Sequence, residues 1–166
     1  MKKKIKIALL GDNEFPPLSI SHISQRRDFA LRQAMEAILT TNPGMVYLCP
    51  TKGVNINVLP LIMLNKIPFR LIFPSQDFFR TLTSTEKQIL KLALERADKV
   101  IILSEEDCGP MDWAEKWYEA SRRAVDSADS VVVAHNPNYF TAFDDLIVKF
   151  EGCLKPVIVV PTERAY

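Results

Sequence analysis

Short, largely apolar runs alternate along this chain with longer stretches in which apolar positions recur every three or four residues. Ile5 to Leu10, Met45 to Leu48, Phe69 to Phe73, Lys99 to Ser104, Val131 to Val133 and Val157 to Val160 show little polar–apolar alternation. Runs of that kind read as strands buried on both faces of a parallel sheet. Between them lie helical patterns. Ala30, Leu31, Ala34, Ala37 and Ile38 share one face, and Asn42-Pro43-Gly44 stops that helix. Thr83-Ser84-Thr85-Glu86 offers a capping box that Ile89, Leu90, Ala93 and Ala97 continue. Trp113, Trp117, Ala120 and Ala124 mark a later helix, and Ala142, Phe143, Leu146, Ile147 and Phe150 mark the last. Ile56 to Leu64 reads as a further helix capped by Asn55 or Asn57; Pro60 lies in the first turn with Asn57 as cap, and removes one intrahelical bond with Asn55 as cap.

Strand and helix that alternate in this way demand a mainly parallel sheet of about six strands with helices on both faces. No linker, repeat or low-complexity stretch breaks the pattern, so residues 1–166 read as a single Rossmann-like doubly wound α/β domain. Strand-exit loops of such a sheet converge on its carboxyl edge, where ligands bind. Here they bring together Asp12, Asn13, Thr51, Lys52, Asp77, Glu105, His135, Asn136 and Thr141.

The most informative corner is Cys49-Pro50-Thr51-Lys52-Gly53-Val54-Asn55. A turn from a buried strand into a helix offers backbone N–H groups and the positive end of a helix dipole to an anion. Lys52 adds a cation expected to face solvent, Thr51 a hydroxyl, and Gly53 freedom to take a positive φ or lie against a ligand. The plain alternative is that any parallel α/β unit turns its corner this way. Gly11 opens the first corner, and the Phe15 to His22 loop after it is long for its position. His135 reads as a general base, a phosphate ligand or a turn residue; Arg122 as a phosphate contact or part of a solvated helix face. Asp126 and Asp129 read as helix-ending residues, and Trp113, Trp117 and Tyr118 as core or dimer-surface aromatics.

Charge narrows the partners. Lys and Arg number 21 against 20 Asp and Glu, a net +1, which advertises no broad binding to nucleic acid or anionic membrane. Cys49, Cys108 and Cys153 are odd in number and widely spaced, so neither a disulfide framework nor a metal site is expected, and a reduced cytoplasm is the simplest setting. The Met1-Lys2-Lys3-Lys4 start is followed by an apolar run that meets Asp12 and Glu14 too soon for a signal peptide. No run has transmembrane length. The glycine fingerprint of classical dinucleotide binding, the Walker A loop and the Gly-x-Ser-x-Gly elbow are all missing, and no cofactor is expected.

Taken together these corners resemble the SLOG superfamily, which includes the YpsA-like proteins, the DNA-processing protein A (DprA/Smf) Rossmann core and the lysine-decarboxylase-like "lonely guy" phosphoribohydrolases. Gly11 matches the family's first glycine corner. Its Ser-Gly-x-x-Gly-Val-Asp loop lies over Cys49 to Asn55, with Pro50 for the first glycine and Asn55 for the aspartate. Pro74 ends the third strand as in the family, and Val125 to Asp129 matches the segment before an all-valine strand. Asn138-Tyr139-Phe140-Thr141 through Lys155-Pro156-Val157 matches the last unit, without the two glycines of its Gly-Gly-Thr loop; Ala120-Ser121 stands for an arginine-asparagine pair. Asp144 or Asp145 is a loose counterpart of the family's catalytic glutamate. The resemblance implies a fold, and a ligand site at Gly11, Asp12, Asn13, Thr51, Lys52, Gly53, Asn55, Arg122, His135, Asn136 and Thr141.

The reading is a binding protein for a nucleotide or nucleotide-derived ligand, with a sensing or scaffolding role. One alternative is an enzyme that cleaves an N-glycosidic bond, phosphoribohydrolase-like or nucleoside deoxyribosyltransferase-like. Another is DprA-like binding of single-stranded DNA, which the near-neutral charge does not favour. A homodimer is expected, because Trp113, Trp117, Phe143 and Phe150 exceed what one small sheet face readily covers.

Overall fold

The computed structural model describes residues 3–15, 20–106 and 112–161, with side chains of the first helix from 27 onward. Its elements run β1 (Ile5–Gly11), α1 (Ile20–Thr40), β2 (Pro43–Leu48), α2 (Val54–Leu64), β3 (Phe69–Phe73), a short 3-10 helix (Phe78–Thr81), α3 (Ser84–Arg96), β4 (Lys99–Ile102), α4 (Trp113–Ser127), β5 (Ser130–His135), α5 (Ala142–Val148) and β6 (Val157–Pro161). All six strands are parallel, in the order β4-β3-β2-β1-β5-β6. The doubly wound α/β architecture expected from the alternating pattern is the one observed.

Two cores sandwich the sheet. Ile7, Leu9, Val46, Leu48 and Leu71 point toward α1, α2 and α3, while Ala8, Leu10, Tyr47, Val131 and Val133 point toward α4 and α5. Successive strand residues face opposite sides, so strands buried on both faces carry no polar alternation. Trp117 and Phe143 are buried, their rings 6.1 Å apart, and Trp113 stacks on Trp117 at the same spacing. Phe150 packs on Tyr118 at 5.5 Å. Trp117 and Phe143 are thus covered within one chain, while Trp113 and Phe150 stay partly exposed.

Several boundaries differ from expectation. Helix α1 begins at Ile20, so Ser21 and His22 are helical and the loop after β1 is shorter than the Phe15 to His22 reading. Helix α2 begins at Val54 with Gly53 as its N-cap, so neither Asn55 nor Asn57 caps it. Pro60 then lies in the helix interior, where it lacks the N–H that would reach the Ile56 carbonyl. Strand β4 ends at Ile102, although Leu103 still donates to the Phe73 carbonyl at 3.0 Å. The Thr83–Glu86 capping box of α3 is formed in both directions.

Candidate functional site

Strand order reverses between β1 and β5, and in an open α/β sheet the crevice at that reversal is where ligands bind. Asp12, just past β1, ties the crevice together. Its carboxylate meets His135 Nδ1 at 2.7 Å and accepts the Asn136 N–H at 2.7 Å; its backbone carbonyl accepts the Val54 N–H at 2.9 Å. One buried residue thereby joins the exits of β1 and β5 and the start of α2. A buried carboxylate is stable only with such partners.

His135 is held from its other side as well. Its Nε2 lies 3.2 Å from Asp144 Oδ1, and the second oxygen of Asp144 accepts the Thr141 N–H at 2.7 Å. Thr141 returns the bond by accepting the Phe143 N–H, forming a capping box at the start of α5. Thr141 is therefore a helix cap, and the loose counterpart Asp144 is fixed against an imidazole. The Thr141-x-x-Asp144 spacing is itself a capping-box signature that could have placed this carboxylate from sequence. Asn136 is buried and accepts the Asn138 N–H at 2.9 Å, an Asx turn that shapes the loop.

The corner after β2 behaves differently. Gly53 takes φ 90°, and a Cβ on it would lie 2.2 Å from the Asp12 carbonyl oxygen and 2.7 Å from the Asn13 carbonyl carbon. Its freedom serves a close approach between two loops. Gly11 is equally constrained, since a Cβ there would lie 2.7 Å from both Asn55 Oδ1 and Val54 Cβ. Asn55 turns inward and donates to the Cys49 carbonyl at 2.9 Å and the Leu9 carbonyl at 3.3 Å. What stands out is what it leaves over. Asn55 Oδ1, Thr51 Oγ1 and Asn13 Oδ1 are buried with no hydrogen-bond partner, on residues 3%, 2% and 7% exposed. Buried polar atoms are nearly always satisfied, and each exception asks for an explanation.

Two first-turn amides of α2 are already engaged, Val54 by Asp12 and Ile56 by the Thr51 carbonyl. Lys52, expected as a solvent-facing cation, lies 3.8 Å from Glu14, with both side chains nearly half exposed. Glu14 was not foreseen because the pair joins separate loops. Arg122 belongs elsewhere: it is exposed on α4, 3.7 Å from Asp126, and joins none of these groups. Asp77 accepts the Ser75 hydroxyl, and Glu105 is exposed.

Sequence reasoning also missed the support beneath α2. Asn57 donates to the Gly53 carbonyl at 2.8 Å and to Glu86 Oε2 at 3.0 Å, while its Oδ1 accepts from Arg27. The other Glu86 oxygen accepts the Thr83 N–H. This buried network bolts α1 and α3 to the corner that carries Gly53. Among the described residues no cluster of three or more His, Cys, Asp or Glu is arranged to hold a metal, and no helix is long and apolar enough to cross a membrane.

Compared with known proteins, the chain matches no family model, and a search of the curated proteins finds no match either.

Proposed function

We propose that the crevice between the β1, β2 and β5 corners binds a nucleotide or nucleotide-derived ligand, in a sensing or scaffolding protein of the SLOG type. The observation that carries this reading is the trio of buried, unpartnered oxygens on Asn13, Thr51 and Asn55. Two amide oxygens and a hydroxyl, enclosed at corners beside a strand-order reversal, suit a ligand that presents N–H and O–H donors, such as a base edge and ribose hydroxyls, once the corner opens to admit it. A phosphate presents only acceptors, and the charges near this crevice, Asp12, Glu14 and Asp144 against a paired Lys52, do not favour burying one. The nucleoside part is therefore the recognised part, with any phosphate lying outward toward Lys52. That charge balance also disfavours a strand of DNA.

Calorimetric titration of adenosine, guanosine and their 5′-monophosphates tests the reading. A nucleoside is expected to bind within about tenfold of its monophosphate, a difference of about 1.4 kcal/mol, and Lys52→Ala is expected to weaken only the monophosphate. Absence of binding by all four compounds would sink the proposal.

Asp144 supports a second reading. A carboxylate fixed by the Thr141 N–H and set against an imidazole is suited to stabilise positive charge developing on a sugar during N-glycosidic cleavage. Chromatography for free base, released by wild type and not by Asp144→Asn, separates hydrolysis from simple binding.

A further inference from the structure

A second cavity lies on the opposite face of the sheet, and its origin is a mismatch of lengths. Helix α5 has seven residues and is about 10 Å long, whereas the six residues of β5 extend about 20 Å. The helix cannot cover the strands beneath it. The uncovered part is a pocket of about 350 Å³, walled by Val131, Val133, Ile147, Phe150, Val157 and Val159, with His135 at the carboxyl end of β5. On β6, Ile158 and Val160 pack into the opposite core, while Val157 and Val159, which face this pocket, stay 45% and 66% exposed. Gly152 borders it at φ 83° with nothing within 4 Å of a would-be Cβ, so the rim is open.

We propose that this pocket binds a small two-ring aromatic molecule that is neutral or positively charged. Size sets the first limit, since a dry cavity of about 150 Å³ holds benzene and this one is about 350 Å³. Lining sets the second: aliphatic walls with a Phe ring and an imidazole suit an aromatic body and offer little to a polar one. Charge sets the third. His135 lies between the Asp12 and Asp144 carboxylates, 2.7 and 3.2 Å from its two ring nitrogens. Glu151 adds a carboxylate to the lining. The nearby Lys155 ammonium is engaged by the Val125 and Asp126 carbonyls at 2.6 and 3.0 Å, where it closes the C-terminal end of α4. An aromatic acid would meet the Glu151 carboxylate and the carboxylates that flank His135, and among the described residues the ammonium of Lys155 is already engaged. The apolar walls of this pocket are distinct from the Asn13, Thr51 and Asn55 oxygens that carry the nucleoside reading, and the two sites meet only at His135 on the β5 corner.

A matched trio of probes tests it: 2-naphthylmethanol, 2-naphthylmethylamine and 2-naphthoate, titrated into the full chain by calorimetry and ligand-detected NMR. The alcohol and the amine are expected to bind, and the acid at least tenfold more weakly. Val159→Trp fills the pocket from its exposed rim; it is expected to leave the melting temperature and nucleoside titration unchanged and to weaken the alcohol at least tenfold. In Cys108→Ser protein the alcohol is expected to slow alkylation of Cys153, which lines the pocket. Naphthoate binding as well as the amine, no binding by any probe, or undiminished binding to Val159→Trp would each overturn the proposal. So would sedimentation showing two copies together with probe binding that appears only once β6 contacts are disrupted, because a second chain would then be the occupant.

Discussion

Among the described residues two glycines adopt a positive φ, and they sit in regions of opposite character. Gly53, at 90°, is wedged between the corners after β1 and β2, where the Asp12 carbonyl accepts the Val54 N–H and the Gly53 carbonyl accepts the Asn57 amide. Gly152, at 83°, borders an apolar pocket with empty space around it. The first region is rigid and polar, with oxygens left over; the second is open and apolar, with valines left over. Different kinds of ligand follow. A rigid polar corner discriminates by hydrogen bonds that a wrong ligand leaves unmade, whereas an apolar pocket discriminates mainly by shape and charge.

The sharpest way to break this contrast is to put the same methyl group at both glycines. Gly53→Ala combines left-handed backbone strain with a clash against main chain, and is expected to cost about 3 kcal/mol or more in urea unfolding. Gly152→Ala carries only the strain and is expected to cost about 1 kcal/mol. Similar losses at both sites would mean that the β1–β2 corner relaxes easily and is not the rigid region described here.

The cysteines extend the comparison to chemistry. Cys49 lies just past β2 and is fully buried, and desolvation pushes its thiol well above the ordinary value of 9.0. Cys153, half-buried at the pocket, should react with a thiol reagent in native protein while Cys49 stays silent. The raised value favours the protonated thiol in the fold. Its contribution is thus complete below about pH 9 and is lost as pH rises, because only the unfolded thiol ionises. One unit above that value, the fold should lose about 1.4 kcal/mol relative to Cys49→Ala. Equal pH slopes for the two proteins would contradict the buried environment.

Much of this was legible in the chain because it depends on local pattern. Apolar runs without alternation gave six parallel strands, Thr83-x-x-Glu86 gave a cap, and Gly53 gave a positive φ. The errors arose where a long-range contact decides. Asn55 and Asn57 look like caps, but α2 is buried over most of its length, so their amides turn inward to Cys49, Leu9, Gly53 and Glu86. Lys52 faces solvent as expected, nearly half exposed, and what went unforeseen is Glu14, 3.8 Å away on another loop. Arg122 sits two-thirds of the way along α4, well beyond the turn that faces the crevice, a matter of helix length more than of residue type. Asp12 and His135 were expected at one edge of the sheet, but their direct contact, and that of His135 with Asp144, depends on β5 lying beside β1. The β5–β6 pocket depends on how short α5 is, and the periodicity of Ala142 to Phe150 overstated that length.

The central claim is that the unpartnered oxygens of the polar corner are kept for a ligand at the expense of stability. Thr51→Val tests it directly, because the substitution keeps the shape and deletes the hydroxyl. Removing a buried hydroxyl that has no partner relieves a desolvation penalty, so unfolding in urea should show the variant equal to wild type or up to about 1 kcal/mol more stable. The same protein should bind the nucleoside about tenfold more weakly. A variant that is clearly less stable and binds the nucleoside as well as wild type would show that the hydroxyl serves the fold, and would contradict the account.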